Sequence, residues 1–117
     1  FYWVWHKQSQ VWLHRTILGE LMEIRQTPLF ERAVKKITKQ DKKDLDEAIK
    51  QICENPNIGD DKKGDLLGVN VYKFKMNKQP VLLAYSVDDV DNTVITLYLL
   101  KLGSHENFYR DLKQHRN

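Results

Sequence analysis

The sequence predicts an α+β domain, and three observations carry that prediction. Two helix-period stretches stand back to back over residues 29–55, three strand-period stretches follow in hairpin succession over residues 69–102, and a short amphipathic helix closes the chain. The length of 117 residues suits one small domain, and 41% hydrophobic with 30% charged residues is the balance of a globular chain. A single cysteine, Cys53, excludes an internal disulfide framework. No apolar run approaches the roughly 18 residues of a membrane-spanning helix, so no membrane partner is expected. The formal net charge of +3 attracts a polyanion only mildly, far short of a histone-like tail.

Residues 1–21, FYWVWHKQSQVWLHRTILGEL, stand apart because they hold all three tryptophans and five of the twelve aromatic residues. The stretch lacks the basic start and small-residue cleavage site of a signal peptide. Residues 10–18 predict a short helix with Leu13, Ile17 and Leu18 on one side, ended by Gly19. Three readings stay open for this segment: an appended or upstream-translated stretch, a packing arm, or a piece of a partner chain. A boundary is expected at about Met22, with residues 22–117 as the regular domain.

From there the elements follow in order. Met22 to Thr27 alternates as a short strand, and Pro28 turns the chain out of it. Leu29 to Thr38 places Phe30, Ala33, Val34 and Ile37 on one helical stripe. Lys39 to Asn55 does the same with Leu45, Ala48, Ile49, Ile52 and Cys53, with Asp41 as the expected cap and Asn55-Pro56 as the stop. Two helices joined this tightly predict an antiparallel hairpin. After a polar connector from Ile58 to about Gly68, Val69 to Met76 alternates, with Tyr72, Phe74 and Met76 opposite Lys73 and Lys75. Asn77 to Pro80 makes a turn into a strand over Val81 to Val87, and Asp88 to Asn92 turns into Thr93 to Leu102, the expected centre of the sheet. Gly103-Ser104 then breaks the ladder, and Ser104 is placed to cap a last helix from His105 to about Gln114. The order β-α-α-β-β-β-α predicts helices over one face of an antiparallel sheet.

Motifs for phosphate loops, dinucleotide binding and hydrolase elbows are missing, and no His, Cys or Asp pair has structural-metal spacing, so neither a metal nor a cofactor is expected. Cys53, on an apolar stripe, reads as a buried thiol. His6 and His14 lie in the unusual first segment and His115 near the end, and none suggests a site. The informative chemistry is basic. Lys62, Lys63, Lys73, Lys75 and Lys78 face a single acidic residue, Asp65, over that stretch. Two apart on a strand, Lys73 and Lys75 leave by one face about 7 Å apart, near the phosphate repeat of a single strand. A solvated strand face kept soluble by lysines accounts for the same pattern. His105 and Tyr109, four apart, share a helical face, while Phe108 and Leu112 pack inward and Arg110 lies nearer solvent. A histidine that titrates near neutral pH, with lysines to stabilise a phosphorane, suits cleavage of RNA by its own 2′-hydroxyl. Tyr109 suits stacking on a base.

From Met22 onward the chain resembles toxins of the RelE/ParE superfamily of bacterial type II toxin–antitoxin systems. The most specific pieces are Gly68-Val69-Asn70-Val71-Tyr72-Lys73-Phe74-Lys75-Met76, Leu82-Leu83-Ala84-Tyr85, and Leu102-Gly103-Ser104-His105-Glu106-Asn107-Phe108-Tyr109-Arg110-Asp111-Leu112. The resemblance implies two helices, a curled antiparallel sheet and a short final helix. It further implies a cytoplasmic, metal-independent endoribonuclease (an mRNA interferase) that cuts ribosome-bound mRNA and inhibits translation. Its partners would be a cognate antitoxin, the ribosome and mRNA, with DNA reached only through the antitoxin complex. Lys73 and Lys75 match the family's Tyr-Lys-x-Lys strand, whereas Leu82 stands where an arginine usually does. Gly103-Ser104-His105 with Tyr109 matches the branch resembling YafQ toxins. On this reading His105 is the general base or acid, Lys73 and Lys75 stabilise phosphate charge, and Tyr109 orients the substrate. Arg110, Lys78, Lys62 and Lys63 are RNA contacts. A gyrase inhibitor on the same fold and an inactive antitoxin-binding protein are the competing readings.

Overall fold

The computed structural model describes residues 3–6, 11–16, 19–91, 93–104 and 108–116. In chain order the elements are β1 (Trp3–His6), β2 (Val11–Arg15), β3 (Leu21–Gln26), α1 (Pro28–Lys35), α2 (Lys39–Glu54), β4 (Asp60–Asp61), a 3₁₀ turn (Gly64–Leu66), β5 (Asn70–Met76), β6 (Gln79–Val90), β7 (Thr93–Gly103) and α3 (Phe108–Arg116). Among the described residues the strands make one sheet in the order β1-β2-β3-β7-β6-β5-β4, which puts β7 at its centre as its apolar run predicts.

The sheet is mixed rather than purely antiparallel. β3 runs parallel to β7, from Glu23 opposite Thr96 to Gln26 opposite Leu99, and the other pairings are antiparallel. A parallel pair needs a long crossover, and the α1–α2 hairpin is the first part of it. Thr27 begins that crossover as the N-cap of α1, its hydroxyl accepting from the Phe30 N–H at 3.0 Å. The cap of α2 is Thr38 rather than Asp41. Its hydroxyl accepts from the Asp41 N–H at 3.1 Å, and the Asp41 carboxylate occupies the first turn, where the helix dipole favours it.

Both faces of the sheet are covered, not one. Phe30 of α1 and Leu45, Ile49, Ile52 and Cys53 of α2 pack on one face against Ile24, Leu83, Tyr85, Leu97 and Leu99. Phe108 and Leu112 of α3 pack on the other against Leu66, Val69, Val71, Leu82 and Ala84. This explains why Val81-Leu82-Leu83-Ala84-Tyr85 is apolar throughout, for alternate residues of β6 feed two separate cores. The turn between β5 and β6 has two central residues, Asn77 and Lys78, with φ of 53° and 66°, the left-handed pair that matches hairpin twist.

Within the helix expected over residues 10–18, Val11–Arg15 is a strand, while Ile17 and Leu18 lie outside the described residues. β2 pairs antiparallel with β3, Trp12 opposite Ile24 and His14 opposite Met22, and β1 pairs with β2 in turn. His14, expected to be unremarkable, is 2% exposed, and its Nε2 lies 3.5 Å from Glu54 Oε1 at the end of α2. Trp12 packs against the core beneath α1 and α2. An open β3 edge would leave backbone donors and acceptors unpaired; pairing them outweighed the weak helical spacing of Leu13, Ile17 and Leu18.

Candidate functional site

The side of the sheet that carries α3 collects most of the basic residues singled out in the sequence. On β5, Tyr72 and Phe74 stack toward the α1–α2 core with ring centroids 6.0 Å apart, which leaves Lys73 and Lys75 exposed on the opposite side. That side is also the one Val71 shares with α3. On α3, Phe108 is 1% and Leu112 4% exposed, as their spacing predicts, and Tyr109 sits half-buried at the margin. Phe108 and Tyr109 meet edge to face at 5.3 Å. The Lys62 Nζ lies 5.3 Å from the centre of the Tyr109 ring, a cation–π contact that joins the connector to α3.

Lys62 is held by its backbone as well. Its N–H donates to the Val69 carbonyl at 2.9 Å, and β4 beside it pairs with β5. The start of this connector is pinned by Tyr85 from below. The Tyr85 hydroxyl accepts from the Gly59 N–H at 2.9 Å and donates to the Pro56 carbonyl at 2.7 Å. A Cβ at Gly59 would lie 2.7 Å from that hydroxyl, so the close approach requires glycine. Burial pushes the Tyr85 phenol above its ordinary pKa against the opposing Gly59 bond, keeping the hydroxyl a donor. Tyr85 is thus an anchor for the connector that carries Lys62.

The remaining predicted residues are less closely gathered. Arg110 is exposed on α3 and Lys63 is exposed at the start of the 3₁₀ turn. Lys78 occupies the tip of the β5–β6 hairpin, beyond the rows that α3 covers. His105 lies outside the described residues, and α3 is described from Phe108. Leu82 stands between Lys73 on β5 and Gly103 on β7 in one cross-strand row, 5% exposed, as part of the apolar floor under Phe108 and Leu112. Sequence reasoning missed Lys101. It pairs with Ala84 on this same side, with its Nζ 5.6 Å from the centre of the Phe108 ring. The signal was a lysine placed where strict alternation from Leu97 and Leu99 would bury it, directly after the doubled Leu99-Leu100.

On the opposite side, a groove of about 590 Å³ opens between α1, α2 and the β2–β3 end of the sheet, with Trp12, Phe30, Val34, Leu45, Ile49 and Leu99 in its wall. Its polar rim is internally matched, since Lys35 pairs with Glu31 and Lys42 with Asp46. Among the described residues no cluster of three His, Cys, Asp or Glu side chains could hold a metal, and no helix is long and apolar enough to cross a membrane.

A small mixed sheet with a helical hairpin on one face, and a short helix beside paired lysines on the other, is compatible with the RelE/ParE architecture. Residues 24–113 match the family described as ParE-like toxin of type II bacterial toxin-antitoxin system, and the chain belongs to that family. Comparisons with curated proteins and with solved structures found no match. Membership makes the chain a toxin of a type II toxin–antitoxin system, and the partner this implies is a cognate antitoxin.

Proposed function

We propose that the chain is an endoribonuclease toxin that acts in the cytoplasm, cutting ribosome-bound mRNA at the α3 side of the sheet. The observation that carries the reading is the exposure of Lys73 and Lys75 on the same side as Tyr109, with Lys62 seated on the tyrosine ring. In the reaction the 2′-oxygen attacks the neighbouring phosphorus, its proton passes to a base, and the bond from phosphorus to the 5′-oxygen breaks as that oxygen gains a proton. Lys73 and Lys75 neutralise the charge that builds on the phosphorane, a role two ammonium groups perform without a metal. Tyr109 offers a ring face for a base and orients the strand. His105 supplies one of the proton transfers, because imidazole both accepts and donates near neutral pH. The ribosome, by holding the message extended, provides the alignment that so open a surface lacks.

The test is cleavage of a message on purified translating ribosomes by the wild type and by H105A, with folding checked by circular dichroism. Loss of cutting in folded H105A is expected, and full cutting would remove His105 from the mechanism. A second reading, inhibition of DNA gyrase, is favoured by the burial of Leu82 where nuclease relatives are expected to carry an arginine and by the ParE-like family match. It predicts loss of supercoiling activity with message ends unchanged. The antitoxin is expected to lay an apolar segment across the helices and sheet, and the groove walled by Trp12, Phe30 and Leu45 has the lining to receive one.

A further inference from the structure

The geometry points to Lys101 as a substrate-positioning residue that binds a backbone phosphate of single-stranded RNA. The inference rests on the RNA-directed reading above and adds a contact that the sequence pattern alone would place inside the protein.

The first argument is the direction of the side chain. On β7, Leu97 and Leu99 point into the core beneath α1 and α2, and a regular strand would send Lys101 the same way. It does not, because the pairing with β6 slips: Lys101 lies opposite Ala84 and Leu99 opposite Tyr85, which leaves Leu100 as an extra residue. That bulge reverses the alternation, so Lys101 emerges beside α3 and Leu102 returns to the core. The bulge is held in place from outside the strand. The Thr27 N–H donates to the Leu99 carbonyl at 3.0 Å, and the Thr27 hydroxyl donates to the Leu100 carbonyl at 2.7 Å.

The second argument is position. Lys73, Leu82 and Gly103 form one row across the sheet, and Val71, Ala84 and Lys101 form the next row on the same side. Lys101 is therefore the diagonal neighbour of Leu82, about 7–8 Å away between backbone positions. The Lys101 ammonium lies beside the Phe108 ring that covers Leu82, so it stands at the margin of that row rather than within the apolar floor.

The third argument is charge. Among the described residues no carboxylate pairs with Lys62, Lys73, Lys75 or Lys101, although lysines elsewhere do pair, Lys35 with Glu31 and Lys42 with Asp46. Lys62 and Lys101 lie instead over the Tyr109 and Phe108 rings respectively. A ring face orients an ammonium without neutralising it, which leaves the cation available to a phosphate.

The experiment measures binding of the full chain to a single-stranded oligoribonucleotide whose 2′-hydroxyls are methylated, so that it cannot be cut. Affinity is followed by fluorescence anisotropy from low to moderate salt for the wild type, K101M, K101Q, K101R and K73M. Each phosphate contact on a single strand contributes about 0.7 to the slope of log affinity against log salt, equivalent to about fivefold in affinity near 0.1 M salt. K101M and K101Q are expected to lose that slope and that affinity, and K101R to keep both. A residue that only braces Phe108 would change thermal stability without moving the salt slope. A wild-type slope in K101M and K101Q alongside a reduced slope in K73M overturns the role of Lys101 alone. Unchanged slopes in all of these variants, or no RNA binding by the wild type, overturn the RNA-directed reading with it.

Discussion

Replacing Thr27 by valine tests how the sheet is locked together, because that one hydroxyl serves two elements. It accepts from the Phe30 N–H at 3.0 Å as the cap of α1, and donates to the Leu100 carbonyl at 2.7 Å in the β7 bulge. Valine keeps the shape and the backbone bond from the Thr27 N–H to Leu99, so the change isolates the oxygen. Loss of an N-cap costs about 0.5–2 kcal/mol. Leaving a carbonyl without its partner costs about 1–3 kcal/mol when the group is buried, and less here because the bond is only part-buried. Together these give about 2–3 kcal/mol, or roughly 8–15 °C in melting temperature for a domain of this size. Urea unfolding followed by circular dichroism measures it, with T27S as the control that retains the hydroxyl. T27S is expected to lose less than about 1 kcal/mol, the scale of a half-buried methyl group. A T27V protein within about 0.5 kcal/mol of wild type, or a T27S protein equally damaged, would refute the reasoning.

Two further outcomes follow from the buried polar groups. Y85F removes the hydroxyl that holds both Pro56 and Gly59, and should cost about 2 kcal/mol while loosening the connector that carries Lys62; hydrogen exchange at the Gly59 amide should quicken with it. Cys53 has its thiol pushed from an ordinary 9.0 up to about 12, chiefly by burial and secondarily by Glu54. The native state then holds a proton that the unfolded chain releases, so this contribution to stability is present below pH 9.0 and is lost as pH rises toward about 12. Urea midpoints should therefore fall more steeply over that window in the wild type than in C53A, and iodoacetamide should label Cys53 at pH 8 only after denaturant is added.

How far the sequence discloses this molecule depends on whether a residue's role is set locally. The α1–α2 hairpin, the β5–β6–β7 meander and the inward pair Phe108 and Leu112 were legible because helical stripes, short turns and apolar runs mark them locally, whichever of the two cores each one feeds. The parallel contact of β3 with β7 was not, since about 70 residues separate Arg25 from Tyr98 and no local pattern encodes that pairing. Trp12 and His14 alternate with Leu13 and Arg15 at period two, but so brief a pattern competes evenly with helical spacing until an open sheet edge decides it. At the site, Lys73 and Lys75 were readable from strand alternation and Tyr109 from helical spacing. Lys101 was hidden because a bulge inverts the rule by which side chains are assigned to faces. Leu82 was visible as an unusual residue, and its burial beneath α3 gives the physical meaning of the change.

The central claim is that the lysine-bearing side of the sheet directs the toxin to RNA. Inducible expression in bacteria, with the 5′ ends of all messages mapped before and after induction, tests it most directly when the wild type is compared with a K73M/K75M double variant. The account predicts growth arrest with new ends inside the codons of translated messages, and loss of both in the double variant while the protein remains folded. Growth arrest that persists in the double variant, with message ends unchanged and DNA supercoiling inhibited, would contradict it.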